Sequence, residues 1–229
     1  MARAPREFGV GEYYHIFNRG YEKRKIFLDK ADYKRFVECL HFFNDEATIK
    51  IRDIRQYTGP TPEKVPLVEL LAYVLMPNHF HLIVKEIVEN GISLFMKKLG
   101  NGYTGYFNTR YDRLGVGGLF QSRYKSVRIT SDAQLSTAFA YVHSNPVELT
   151  ERGWKDFKVK NPSSAFNWLE DYAWSSFPIY LNDSPSDIVS TKFYTDFLGG
   201  SNQCRGLLKD WIKYKARNQE KIVNSLALE

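Results

Sequence analysis

His79 and His81, separated by Phe80 in the run Tyr73-Val-Leu-Met-Pro-Asn-His-Phe-His-Leu-Ile-Val-Lys85, are the residues of this chain best suited to chemistry. Residues i and i+2 of a strand point to one face, so the spacing sets two imidazoles side by side. That arrangement suits a divalent metal ion. Two histidines on the polar face of a half-buried strand would share the spacing, but Leu75, Met76, Phe80, Leu82, Ile83 and Val84 predict a buried strand, where unpaired imidazoles are costly. A metal site needs further donors, and the next candidates lie on another element. The segment from Ser131 to Pro146 opens with a Ser-x-x-Gln capping box at Ser131 and Gln134 and is stopped near the proline. It reads as a helix whose Leu135, Phe139 and Val142 form one stripe, while Tyr141 and Asn145, at i and i+4, share another face. A phenol hydroxyl and a carboxamide oxygen are thus presented together. A core tyrosine followed by an asparagine cap would look the same, and both readings stay open at this point.

These residues resemble a known family. Met76-Pro-Asn-His-Phe-His-Leu-Ile83, followed downstream by Tyr141-Val-His-Ser-Asn-Pro-Val147, is similar to the single-tyrosine HUH (His-hydrophobic-His) transposases, and within them to the REP-associated tyrosine transposases. The resemblance begins at Tyr14-His-Ile-Phe-Asn-Arg-Gly20 and continues through Gly118-Leu-Phe-Gln-Ser-Arg-Tyr124. It extends to Asp171-Tyr-Ala-Trp-Ser-Ser176, so that it covers roughly residues 8–182. It implies Tyr141 as nucleophile, His79 and His81 as metal ligands, and Asn145 as a third ligand. Tyrosine attack on a DNA phosphodiester leaves a 5′-phosphotyrosine and a free 3′-OH without a water nucleophile. A tyrosine hydroxyl has an ordinary pKa of about 10 and needs a metal or nearby cations to ionise. Imidazole with amide and phosphate oxygens suits Mg²⁺ or Mn²⁺. Tyr124, between Arg123 and Lys125, is the rival nucleophile, but it lacks an amide partner at i+4. His143, His15 and His41 read as packing or DNA-contact residues rather than ligands.

The charge is consistent with a nucleic-acid partner. The chain of 229 residues carries a formal charge of +6, and residues 91–130 hold seven basic side chains, among them Lys97, Lys98, Arg123, Lys125 and Arg128, against the single acid Asp112. Tyr103, Tyr106, Phe107, Tyr111, Phe120 and Tyr124 are interleaved with them, a composition that suits single-stranded DNA with its stackable bases. A second basic cluster, Arg19 with Lys23, Arg24 and Lys25, is placed to grip phosphates. Cys39 and Cys204 suggest neither a disulfide framework nor a zinc ribbon. No apolar run approaches membrane-spanning length and Met1–Glu7 lacks a signal-peptide core, so a cytoplasmic location is expected, with no membrane partner.

The element order predicts an α+β fold. A strand near 12–19, a helix over 30–43, strands over 67–76 and 79–86 joined by Pro77-Asn78, a helix over 91–110, a strand over 124–130 and the Tyr141 helix over 131–145 follow in turn. This order reads as a ferredoxin-like antiparallel sheet with helices on one face, the architecture of the HUH endonucleases. Residues 45–66 read as a polar excursion, and Gly115–Gly118 as a flexible connection. Residues 1–150 are expected to form the catalytic domain, with 151–229 an aromatic-rich and helical extension packed on it. The resemblance thus implies a metal-dependent endonuclease and strand transferase acting on hairpin-forming, repetitive single-stranded DNA. A replication-initiator or relaxase-type nickase, a DNA-binding protein without catalysis, and a His-x-His metallohydrolase are the alternatives. Oligomeric state and the role of 192–229 are not legible.

Overall fold

Strict alternation in one strand divides the molecule. Phe80 and Leu82 turn toward Phe36 and the core, while His79 and His81 turn the other way. In the computed structural model, which describes residues 7–48, 64–154, 156 and 159–217, that strand is β3 (His79–Glu86). The preceding elements are β1 (Tyr13–Arg19), α1 (Lys30–Phe42) and β2 (Val68–Met76). α2 (Gly91–Arg110), β4 (Lys125–Ile129) and α3 (Asp132–Ser144) follow it. The strands pair antiparallel in the order β2-β3-β1-β4. This is the order expected of a ferredoxin-like sheet, and each predicted element is present to within two residues.

The two crossover helices share one face. Phe27, Phe36, Phe80 and Tyr103 form an aromatic cluster beneath them, all of them at most 2% exposed. Burying a side chain of this size contributes roughly 1.5–3 kcal/mol, so the cluster is the main adhesive between helices and sheet. α1 starts at Asp29, whose carboxylate accepts from the backbone of Ala31 and Asp32 in a capping box. Buried Asp32 then joins α1 to α2 by accepting from Leu28 N at 2.7 Å, Tyr111 Oη at 2.8 Å and Arg110 Nη1 at 3.2 Å.

α3 lies on the opposite face, against β2 and β3. It begins at Ser131, whose hydroxyl accepts from Gln134 N at 3.3 Å, while Gln134 Oε1 reaches past Ser131 to accept from Thr130 N at 2.8 Å. The chain then continues through a 3₁₀ turn (Asn145–Leu149), α4 (Pro162–Glu170), α5 (Phe177–Leu181), α6 (Thr191–Leu198) and α7 (Ser201–Arg217). Leu75 N donates to Trp174 O, Ser176 N to Tyr73 O and Ser190 N to Leu70 O, so this region covers the outer edge of β2. α7 packs on α3, α4 and α5. Most of the predicted polar excursion, residues 49–63, lies outside the described residues, as does the N-terminal arm with Arg3 and Arg6. Among the described residues no helix is long and apolar enough to cross a membrane.

His143 on α3 is fully buried. Its Nδ1 lies 3.0 Å from Phe139 O and its Nε2 2.7 Å from Ser176 Oγ, so it is a packing residue that ties α3 to the β2 edge. Burial lowers its pKa from 6.5 to about 3. The unfolded chain therefore takes up a proton below pH 6.5 that the folded chain refuses until about pH 3, and stability falls as pH drops through that window. Chemical denaturation across pH 4–7.5 should show a shallower loss in a His143→Gln variant than in the wild type; identical slopes would contradict this assignment.

Candidate active site

Sheet register assembles the site. In β1 and β3, Arg19 lies opposite His79, Phe17 opposite His81, and His15 opposite Ile83. In β4, Lys125 lies opposite Phe17. Directly opposed residues have Cβ atoms about 4.5–5.5 Å apart, so one sheet face carries imidazoles in its middle and cations at its rim. The chain leaves β1 through Gly20, where a Cβ would sit 2.2 Å from Arg24 O, and Gly20 N donates to Asn78 O at 2.8 Å. Only glycine permits that approach. It holds the Lys23–Lys25 segment against the hairpin turn that precedes His79.

The tyrosine comes from above. α3 sets the Tyr141 ring edge-on to His81, with centroids 5.5 Å apart at 88°, and edge-on to His15, 5.8 Å away at 81°. The His79 and His81 rings lie 5.1 Å apart at 88°. Asn145 is buried at the end of α3, where its Nδ2 donates to Tyr141 O at 2.8 Å, so the amide oxygen is its ligand-type atom. Tyr124, by contrast, is buried in the hydrophobic core, 8% exposed, and precedes Lys125, which itself lies over the Phe17 ring on the histidine face. Alternation turns Tyr124 to the other face.

Two further groups grip the imidazoles, and sequence reasoning missed both. His79 Nδ1 lies 2.7 Å from Asn78 Oδ1, an acceptor, while Asn78 Nδ2 donates to Lys23 O at 3.2 Å. His81 Nδ1 lies 2.9 Å from His15 Nε2, and the two rings are nearly coplanar at 8°. His15 is fully buried, and its pKa falls to about 3 for that reason, so it is neutral at ordinary pH. Nothing in the sequence announced the pairing, because it depends on which strands become neighbours.

A cleft of roughly 620 Å³ opens along this face, lined by Arg19, Lys23, Lys25, Lys125, His79 and His81. Arg19 is held in place by Gln121, which accepts from its Nε at 2.8 Å. Gln121, from the Gly118–Tyr124 stretch, and Glu148, which did not stand out in the sequence, also line the cleft. Other predicted DNA-binding residues go elsewhere. Lys98, with Lys97 on α2, lies across the sheet from the histidines, and its Nζ donates to the carbonyls of Asp45, Glu46 and Ala47. Its charge is directed at the chain after α1. Arg128 is paired with Glu12 in a separate recess. Arg24 donates to Tyr21 O at 3.0 Å and lies over the Tyr21 ring. Arg123 is exposed near the cleft mouth, two residues from Gln121, and Lys97 is exposed on the far face. The expected basic surface over 91–130 is thus split. Its Lys125 end reaches the site, while its α2 end does not.

Residues 64–145 match the family model of IS200-like transposases. This stretch contains both histidines, Tyr141 and Asn145. No curated protein matches the chain. Among solved structures, one of a REP-associated tyrosine transposase bound to a REP hairpin is similar with a TM-score of 0.50 and 17% identity, over 83% of this chain and 92% of the other. At that identity the likeness speaks for the fold. A candidate transposase from Deinococcus radiodurans R1 is 18% identical over 59% of this chain and 92% of its own, with a TM-score of 0.35, too loose to bear on the argument. The match spans less than half of the chain, and together with the His-x-His strand, the tyrosine helix and the four-stranded sheet it shows a likeness to the IS200-like transposases over that stretch.

Proposed function

We propose that this protein is an IS200-like transposase that cuts and rejoins single-stranded DNA beside a hairpin, as a REP-associated enzyme, with Tyr141 as its nucleophile. The observation that carries this reading is the Tyr141 ring set edge-on, at 5.5 Å, to His81, which itself lines a cleft edged by Arg19, Lys23, Lys25 and Lys125. Tyr141 Oη attacks a backbone phosphorus, the P–O3′ bond breaks, and the 3′ oxygen leaves as a hydroxyl once it takes up a proton. The phenol gives up its own proton as the new O–P bond forms. Energy of the cut bond is kept in the phosphotyrosine, so that a 3′-OH can later reverse the step. The cations at the cleft rim offset the charge of the phosphate and favour the phenolate. The hairpin preference is supported by the likeness to a protein solved with a REP hairpin.

The residues present fit a divalent ion. His79 and His81 offer two imidazoles on one face, and among the described residues no group of three or more His, Cys, Asp or Glu builds a closed site. An ion held by them would take its further ligands from oxygens, for which the Asn145 amide, water and the DNA phosphate are the candidates, a donor set that would suit Mg²⁺ or Mn²⁺. When bound, such an ion supplies a Lewis acid that polarises the scissile phosphate.

Incubation with hairpin-containing single-stranded DNA and Mn²⁺, followed by a denaturing gel, should give a covalent adduct with the wild type and with Tyr124→Phe but none with Tyr141→Phe. An adduct surviving in Tyr141→Phe would sink the assignment. Excess EDTA should abolish cleavage, as should His79→Ala or His81→Ala, whereas Asn145→Ala should cost only about tenfold because water can replace a neutral oxygen donor.

The split of the basic surface has its own consequence. Removing one cation that neutralises a phosphate of single-stranded DNA reduces the slope of log affinity against log salt by about 0.7. Lys25→Ala and Lys125→Ala should each flatten the slope by about that amount in anisotropy titrations. Lys97→Ala/Lys98→Ala should leave the slope unchanged and lower the melting temperature; a flattened slope there would route DNA over α2 instead.

A further inference from the structure

Both imidazoles that face the cleft are gripped at the same ring atom. His79 Nδ1 meets Asn78 Oδ1 at 2.7 Å, and His81 Nδ1 meets His15 Nε2 at 2.9 Å. The Asn78 amide is oriented by its own second bond, Nδ2 to Lys23 O at 3.2 Å, so the oxygen must face the imidazole and His79 Nδ1 must carry the proton. A neutral His79 then has its lone pair on Nε2. The His15 ring is fully buried, coplanar with His81 to within 8°, and stacked on Phe17 at 5.0 Å, so its position is fixed by the core. Its other nitrogen, Nδ1, has no hydrogen-bond partner among the described residues. A buried imidazole with one nitrogen spent on nothing is costly to keep. The contact with His81 is what its polar atoms are there to make.

We infer that Asn78 and His15 are positioning residues that hold the two cleft imidazoles by Nδ1 and commit Nε2 of each to the metal ion. The inference rests on the metal reading given above. Imidazole ligands donate their second ring N–H to a fixed acceptor, which sets ring orientation and tautomer, and loss of that acceptor typically lowers metal affinity about 10–100-fold. The two partners differ in kind. Asn78 Oδ1 can only accept, so it fixes the tautomer of His79 outright. His15 can accept or donate through Nε2, so it fixes the plane of His81 and follows its tautomer. With His81 Nε2 given to a metal, His81 Nδ1–H donates to His15 Nε2 and the remaining His15 proton sits on Nδ1.

The test uses the full chain and Mn²⁺ alone, with binding read by the electron paramagnetic resonance of the free ion and folding by circular dichroism. Asn78→Ala should weaken Mn²⁺ binding about 10–100-fold. Asn78→Asp keeps the acceptor while losing the tether to Lys23, and it should bind within about threefold of the wild type or more tightly. His15→Phe should weaken binding by the same order as Asn78→Ala, and His15→Gln, which retains an acceptor, should recover most of it. An equal drop in affinity in Asn78→Asp and Asn78→Ala would assign Asn78 a merely structural role and overturn the proposal. So would wild-type affinity in Asn78→Ala and His15→Phe. Should His15→Phe fail to fold, ¹⁵N spectra of the wild-type rings in saturating Mg²⁺ decide its half, with His81 protonated on Nδ1 expected and His81 protonated on Nε2 contradicting it. Absence of saturable Mn²⁺ binding by the wild type would instead overturn the metal reading and this inference with it.

Discussion

The register of β3 is the constraint on which the rest depends. Its two-residue period gives Phe80 and Leu82 to the core and His79 and His81 to the cleft, so a single strand is both structural wall and cleft floor. A slip by one residue would drive both imidazoles into the aromatic cluster of Phe36 and Tyr103 and expose Phe80 to water. The cost of that exchange, several buried aromatic contacts and two unpaired imidazoles, is what locks the site geometry. Because β1 pairs in register with β3, and β4 in turn with β1, Arg19 and Lys125 arrive on the histidine face without any loop having to place them.

The Tyr141 helix depends on a different set of forces. α3 contributes Tyr141 to the site, and its C-terminal end is held from behind by polar contacts from the chain that follows. His143 meets Ser176, Trp211 Nε1 donates to Ser144 Oγ at 3.0 Å, and Trp168 Nε1 donates to Pro146 O at 3.1 Å. Ser144 Oγ in turn donates to Tyr141 O at 3.2 Å. Ser176, Trp211 and Trp168 thus brace the helix that carries Tyr141. Tyrosines of the same region serve the sheet edge in the same manner, with Tyr172 Oη donating to Leu75 O at 2.7 Å. Burial raises the pKa values of Tyr172, Tyr180 and Tyr194, which keeps these hydroxyls protonated, and those of Tyr172 and Tyr180 donate to the β2 carbonyls of Leu75 and Leu71.

What was legible in the sequence was whatever depends on local period. The His-x-His spacing, the Tyr141–Asn145 spacing and the Pro77-Asn78 turn fixed element types, and the element order then implied the sheet. Contacts between elements were not legible. His15 read as one more packing histidine, because its meeting with His81 requires β1 and β3 to be neighbours in one particular register. Lys98 and Arg128 counted as free positive charge, although carbonyls and a glutamate take them up. A net charge summed along the chain is blind to such pairing. The same blindness hid the role of Gln121, which stood in the Gly118–Tyr124 stretch with no sign of the arginine that it steadies.

The central claim is that Tyr141, above the paired histidines, makes the covalent bond to DNA. The most direct measurement is to trap the adduct on a hairpin-bearing single strand with Mn²⁺, digest both partners, and locate the modified residue by mass spectrometry. The account predicts a 5′-phosphonucleotide on the peptide that contains Tyr141, in one copy per chain, with the 3′-OH fragment released. A modification mapped to Tyr124, or to any tyrosine outside α3, would contradict it.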